Sequence, residues 1–344
     1  MNTQILLNPN SDAHRAFHLW QKHQRKALRV LAPAEVVLVE NAEDSKRLAY
    51  QGALQGVSRF IAIGGAEVLH GIVNGLMELA PSHREHLQVG ELSLYGHGDI
   101  GRTLALPLSI NRQLEMLSAG HTLPMDVGRV AWVDTYGKPQ LRYFLGGAGF
   151  VPGRRLRQEW RQSHHQSGDL AKGFWRFTAP RVRLEDEQEN LLFEGSSLAV
   201  LAMGGRYYGG FGEVAPEATP HDGQLDVVWV ETGSGWREKL ISLARLMLPW
   251  GRAFSGAGYA RVEGLRVTSQ DGPISIETDG QPAGQLPASF SLEPRTLPMI
   301  VPLVGVRLKK PTFNALPQTD NGELAGVPRS GVTKRRVTPT KIPA

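Results

Sequence analysis

The feature that most constrains the fold is the run Phe60-Ile61-Ala62-Ile63-Gly64-Gly65. Successive apolar residues ended by two glycines describe a strand buried on both faces and cut off by a turn. An apolar helical pattern follows at once, from about Ala66 to Leu79. A buried strand that feeds directly into a helix is the building unit of a parallel sheet. The alternation repeats on either side. Ile5–Leu7 reads as a strand and Asp12–Leu31 as a helix with Ala16, Leu19 and Trp20 on one face. Glu35–Val39 reads as a strand and Asp44–Leu54 as a helix. Leu92–Tyr95 reads as a strand, followed by a glycine-rich turn and a short helix ending before Pro107. Residues 1–125 are therefore expected to form an α/β domain, with helices on both faces of a parallel sheet and ligands beyond the carboxyl ends of its strands.

The rhythm changes after Met125. Val127–Val133, Leu141–Leu145, Arg181–Glu185, Leu198–Met203, Leu225–Val230, Arg261–Val267, Ile274–Glu277 and Ser289–Leu292 read as strands, mostly without helices between them. Residues 126–300 are expected to be a β-rich, sandwich-like domain. Trp236–Phe254 is the exception, with Leu240, Leu243, Leu246 and Met247 at helical spacing. Residues 301–310 are expected to return to the first domain.

Residues 311–344 carry five basic residues against two acidic ones and few large apolar side chains. They are expected to form a basic disordered tail. A second basic stretch, 151–184, holds eight Arg or Lys against two acidic residues, with Trp160, Phe174, Trp175 and Phe177 among them. Basic and aromatic side chains together suit a lipid headgroup region. An exposed basic face whose rings belong to the core fits as well. No nucleic-acid-binding pattern is present, so no nucleic-acid partner is expected. The absence of cysteine excludes disulfides and thiolate chemistry. No apolar run reaches the roughly 18 residues of a membrane span. The expected location is the cytoplasm, with peripheral contact at the inner face of the membrane. His14/His18, His83/His86 and His164/His165 read as solvated faces.

Five stretches, in order, resemble the diacylglycerol kinase catalytic family, which includes sphingosine and ceramide kinases. Asn8-Pro9-Asn10-Ser11 resembles its Asn-Pro-x-Ser-Gly turn, and Ile63-Gly64-Gly65 through Val73-Asn74-Gly75-Leu76 its Gly-Gly-Asp-Gly-Thr loop and helix. Asp99-Ile100-Gly101-Arg102 resembles the end of Pro-x-Gly-Thr-x-Asn-Asp-x-Ala-Arg. Arg206–Asp226 is the closest match, and Asp279-Gly280-Gln281-Pro282 resembles Asp-Gly-Glu-Pro. The resemblance implies an α/β nucleotide-binding domain of the kind shared with NAD kinases. It also implies transfer of the ATP γ-phosphate to a lipid hydroxyl, with Mg²⁺. Asn8, Gly64, Gly65, Glu67, Asp99 and Arg102 would line the nucleotide site, with Asp279 as general base and Gln281 beside it.

The chain departs from the pattern at the nucleotide. Where the family carries Asp, Gly and Thr, it has Ala66, Glu67 and Val68. Each charge-assisted bond lost costs about 1.5–3 kcal/mol. A Glu67 carboxylate about 5 Å from a phosphate charge would repel it by about 3 kcal/mol at an effective dielectric near 20. Turned elsewhere, it would not. Ser93–Gly98 keeps little of the second motif, and Gln281 has lost the charge of the family's Glu. Asp222, in Asp222-Gly223-Gln224-Leu225-Asp226, has two readings: a Mg²⁺ or Ca²⁺ ligand, or a hairpin turn. For the whole chain, a lipid kinase is the first reading. A catalytically silent relative that binds lipid or a partner protein is the alternative.

Overall fold

The structure is a computed structural model that describes residues 2–11, 15–151, 179–210, 212–233, 238 and 257–303. The helix expected at 236–254, most of the basic stretch 151–184 and the tail 311–344 lie outside the described residues.

Four parallel strands open the chain: β1 (Thr3–Leu7), β2 (Ala34–Leu38), β3 (Arg59–Ile63) and β4 (Gln88–Glu91), in the spatial order β2-β1-β3-β4. Ile5, Leu6, Leu7, Phe60 and Ile61 are fully buried, which explains why β1 and β3 read as continuous apolar runs. Helices α1 (Arg15–Val30), α2 (Ala42–Leu54) and α3 (Ala66–Met77) connect them. Every residue of α3 from Val68 to Met77 is buried. Its glycines let it lie directly on α2: a Cβ on Gly71 would stand 2.3 Å from the Ala42 carbonyl oxygen, and one on Gly75 2.2 Å from that of Lys46. Short helices α4 (Pro81–Arg84) and α5 (Asp99–Thr103) follow, then α6 (Ile110–Ala119), which the sequence reading did not anticipate.

The expected strand at Leu92–Tyr95 is displaced. β4 ends at Glu91, and the chain beyond it is a loop. The buried Gln113 side chain explains this. Its Oε1 accepts the Ser93 N–H at 2.8 Å, and its Nε2 donates to the Ser93 carbonyl at 2.9 Å. Those backbone groups are thereby taken from any strand ladder.

The second region comprises β5 (Thr122–Val133), β6 (Pro139–Phe144), β7 (Gly147–Phe150), β8 (Arg181–Asp186), β9 (Leu191–Met203), β10 (Leu225–Glu231), β11 (Ala257–Val262), β12 (Gly264–Ser269), β13 (Ser275–Thr278), β14 (Gln281–Gln285) and β15 (Ala288–Ile300). The position 125/126 falls inside β5. β9 pairs with β7, β8 and β10 and so joins the strands around a second core containing Phe144, Val200, Trp229 and Phe290. β15 is the bridge between regions. Its first half pairs with β12, and its end meets β4 in parallel through Met299 and Val89. The chain thus returns to the first sheet within β15, ahead of 301–310. Val301 continues with an N–H bond to the His121 carbonyl at 2.9 Å.

Candidate active site

The carboxyl ends of β1, β3 and β4 converge, and the loops leaving them are tied together by short polar bonds. Asn8 Nδ2 donates to the Glu40 carbonyl at 3.2 Å, and Asn8 Oδ1 accepts the Asn10 N–H at 2.9 Å. Ser11 Oγ donates to the Gly64 carbonyl at 2.5 Å and lies 3.0 Å from the Tyr95 hydroxyl. Gly64 and Gly65 both adopt positive φ, +119° and +95°. A Cβ on Gly64 would stand 2.9 Å from that of Asn8, whereas beside Gly65 only Ser11 Oγ comes within 4 Å, at 3.7 Å. The turn therefore needs glycine and leaves its backbone open to approach.

Glu67 does not bear on that opening as a repulsive charge. Its Oε1 accepts the Ala42 N–H at 3.1 Å, in the first turn of α2. An otherwise orphaned helix N–H and the positive end of the helix dipole both favour a carboxylate there. Val68 is fully buried in the first core, so an apolar side chain suits its position.

Two cavities adjoin along this edge. One, of about 310 Å³, is lined by Gly64, Gly65, Tyr95 and His97, among others. The other, of about 20 Å³, is lined by His70, Asp99, Gly146, Tyr208 and Asp279, among others. Glu91 and Gly98 belong to both walls. Asp99 bonds Arg102 Nη2 at 2.6 Å and accepts the Gly210 N–H at 3.2 Å. The Arg102 guanidinium stacks 4.3 Å above the Tyr207 ring. Asp99 and Arg102 thus join the first region to the segment Tyr207–Gly210.

Asp279 and Gly280 form the two-residue turn between β13 and β14, with φ of +47° and +76°. This is a hairpin geometry that Asp-Gly favours. The turn places the carboxylate in the wall of the smaller cavity. Oδ1 accepts the N–H groups of Gly146 (2.7 Å) and Gly147 (3.2 Å), and Oδ2 that of Leu145 (3.0 Å). His70 Nδ1 lies 3.2 Å from Oδ2. His70 in turn meets the Asn74 amide, 3.3 Å from Nε2. Asn74 is fixed by its own pair of bonds to the Tyr143 backbone. An Nδ1–H facing the carboxylate and a bare Nε2 facing the amide is the tautomer these neighbours favour. Below them Tyr208 donates to Glu277 at 2.8 Å, and burial pushes its hydroxyl well above the ordinary phenol range.

His70 and Glu91 escaped the sequence reading. The available signal was His70 and Asn74, polar residues four apart on an otherwise apolar helix. Gln281 sits in β14 opposite Thr278 and lines neither cavity. Asp222 lies away from both. Its Oδ1 accepts the Gln224 N–H at 3.1 Å, and its Oδ2 is paired with Arg261. Arg261 and Tyr259 also meet the buried Asp226, whose pKa burial pushes up to about 6. Among the described residues no three acidic or histidine side chains converge as a metal site. The Arg261 guanidinium on Asp222 and the Asp222 bond to the Gln224 N–H suit the hairpin-turn reading.

An N-terminal parallel sheet with a glycine turn at one strand end is joined to a β-rich region that brings Asp279 to the cavity wall. Residues 2–130 match the diacylglycerol kinase catalytic domain, and residues 160–301 match the YegS C-terminal NAD kinase beta sandwich-like domain. Residues 2–130 are thus similar to the diacylglycerol kinase catalytic-domain family. The chain is 25% identical over 244 residues to a diacylglycerol kinase of Staphylococcus epidermidis, covering 67% of this chain and 70% of that one. A Staphylococcus carnosus diacylglycerol kinase is 24% identical over 245 residues, covering 67% and 72%. The fold matches the crystal structure of a diacylglycerol kinase from Bacillus anthracis with a TM-score of 0.66 at 17% identity, covering 88% of this chain and 97% of that one.

Proposed function

We propose that this chain is an ATP-dependent lipid kinase of the diacylglycerol type. The nucleotide phosphates lie against Gly64 and Gly65, and a lipid hydroxyl enters the Asp279 cavity. The observation that carries this reading is the placement of Asp279. A fixed carboxylate lines a cavity that shares a wall with the one at the glycine turn. The hydroxyl oxygen bonds to the γ-phosphorus as the bond to the β–γ bridging oxygen breaks, ADP leaves, and the hydroxyl proton passes to Asp279. Asp279 already holds four donors, of which three are rigid backbone N–H groups. His70 is the one that can loosen, so it sets the orientation of Oδ2 and makes room for the proton. The resemblance also implies Mg²⁺, which when bound neutralises phosphate charge.

The departures in the loop do not argue for a silent relative, since Glu67 and Val68 serve the scaffold. We place the acceptor lipid at the membrane surface, met through the basic and aromatic stretch 151–184 and the basic tail. Among the described residues no helix is long and apolar enough to cross a membrane. The test is transfer of labelled γ-phosphate to diacylglycerol, sphingosine and ceramide in mixed micelles with Mg²⁺. Transfer to at least one acceptor is expected, and transfer to none would overturn the reading.

A further inference from the structure

Three carboxylates line the two cavities: Glu91, Asp99 and Asp279. Asp99 is committed to Arg102 and the Gly210 N–H, and Asp279 to three backbone N–H groups and His70. Glu91 is different. It is the last residue of β4, paired with Ala62 of β3, so it stands one strand away from the chain entering Gly64. Its side chain is buried, yet it belongs to the wall of both cavities. Oε1 accepts the Ser93 hydroxyl at 2.5 Å, and no hydrogen bond to the second oxygen occurs among the described residues. Ser93 is itself fixed by the fully buried Gln113, so the direction of the carboxylate is set by a built scaffold.

The charge balance of the cleft gives that carboxylate a task. No Lys or Arg occurs among the described residues lining either cavity. Among the described lining residues, a nucleoside triphosphate would meet backbone N–H groups and no Lys or Arg side chain. Ala66, where the family pattern carries an aspartate, offers no ligand. A small divalent cation, held by one protein carboxylate and several phosphate oxygens, supplies what is missing. Burial, and after it the nearby Asp99 charge, raises the cost of ionising Glu91, against the pull of Ser93 and His97. A cation offsets that cost.

We propose that Glu91 is the protein ligand through which this cleft takes a divalent cation together with the phosphates of its nucleotide. The acid has moved from the loop after β3 to the end of the neighbouring strand. The inference rests on the nucleotide-binding part of the kinase reading. The test is a thermal-shift and calorimetric comparison of the full chain with Glu91→Gln, using ATP with Mg²⁺, ATP with Mn²⁺ and ATP with a chelator. In the native chain the metal should tighten ATP binding at least tenfold. Glu91→Gln should lose that increment while binding ATP in chelator within about twofold of the native chain. If Glu91→Gln keeps the full increment, the inference is overturned and the kinase reading stands. If the native chain binds no nucleotide under any of the three conditions, both fall. Should Glu91→Gln fail to fold, Glu91→Asp serves. A reduced metal increment with unchanged binding in chelator supports the proposal, and an unchanged increment overturns it.

Discussion

The two ends of the cleft are built from different materials. At the Gly64 end the wall is formed by the turn after β3 and the loop after β4, and the side chains at 67 and 68 are held by the scaffold instead. At the Asp279 end a single carboxylate is held from three sides, by the Leu145–Gly147 backbone, by His70 on α3 and by its own hairpin. The difference teaches where a sequence is free to drift. A turn that works through its N–H groups tolerates Ala66, Glu67 and Val68, provided the φ values at Gly64 and Gly65 survive. A carboxylate that must satisfy several donors at once tolerates no neighbour in its chemical class.

The sharpest way to break this comparison is Asp279→Asn. Wherever its amide nitrogen sits, it faces at least one of the backbone N–H groups that now donate to the carboxylate. Turnover should fall by about 10²–10⁴, and stability by about 1.5–3 kcal/mol, read by steady-state kinetics and denaturant melts. His70→Gln comes next. It should lower kcat by roughly 10–100-fold while KM for ATP stays within about twofold, because His70 acts through Asp279. A rise in KM alone would place His70 in binding instead. At the other end the effects are on the scaffold. Val68→Thr restores the residue of the family pattern but buries a hydroxyl, so it should cost about 1–3 kcal/mol of stability without improving nucleotide affinity. Glu67→Ala should cost about 1 kcal/mol through the lost α2 N-terminal contact. ATP affinity should change by less than twofold. A tenfold gain would show that the carboxylate faces the phosphates after all.

Much of the fold was legible because it rests on local pattern. β1, β3 and α3 are apolar runs, with Gly64-Gly65 marking the turn between the last two, and buried strands and helices have that appearance whatever lies around them. What escaped depends on partners distant in sequence. The strand placed at Leu92–Tyr95 failed because the Gln113 side chain claims the Ser93 backbone. The orientation of Glu67 is decided by the Ala42 N–H, and the role of His70 by an aspartate at the far end of the chain. β7, with the sequence Gly-Ala-Gly-Phe, has no alternation to read. Glu91 ends a strand that had been placed four residues too far along the chain.

The central claim is that Asp279, fixed at the wall of the smaller cavity, takes the proton of an acceptor hydroxyl as phosphate moves from ATP. The most direct measurement is transfer of labelled γ-phosphate to a lipid hydroxyl by the native chain and by Asp279→Asn, with the folding of both verified. The account predicts transfer by the native chain and a loss of at least a hundredfold in the variant. Equal transfer by the two proteins would contradict it.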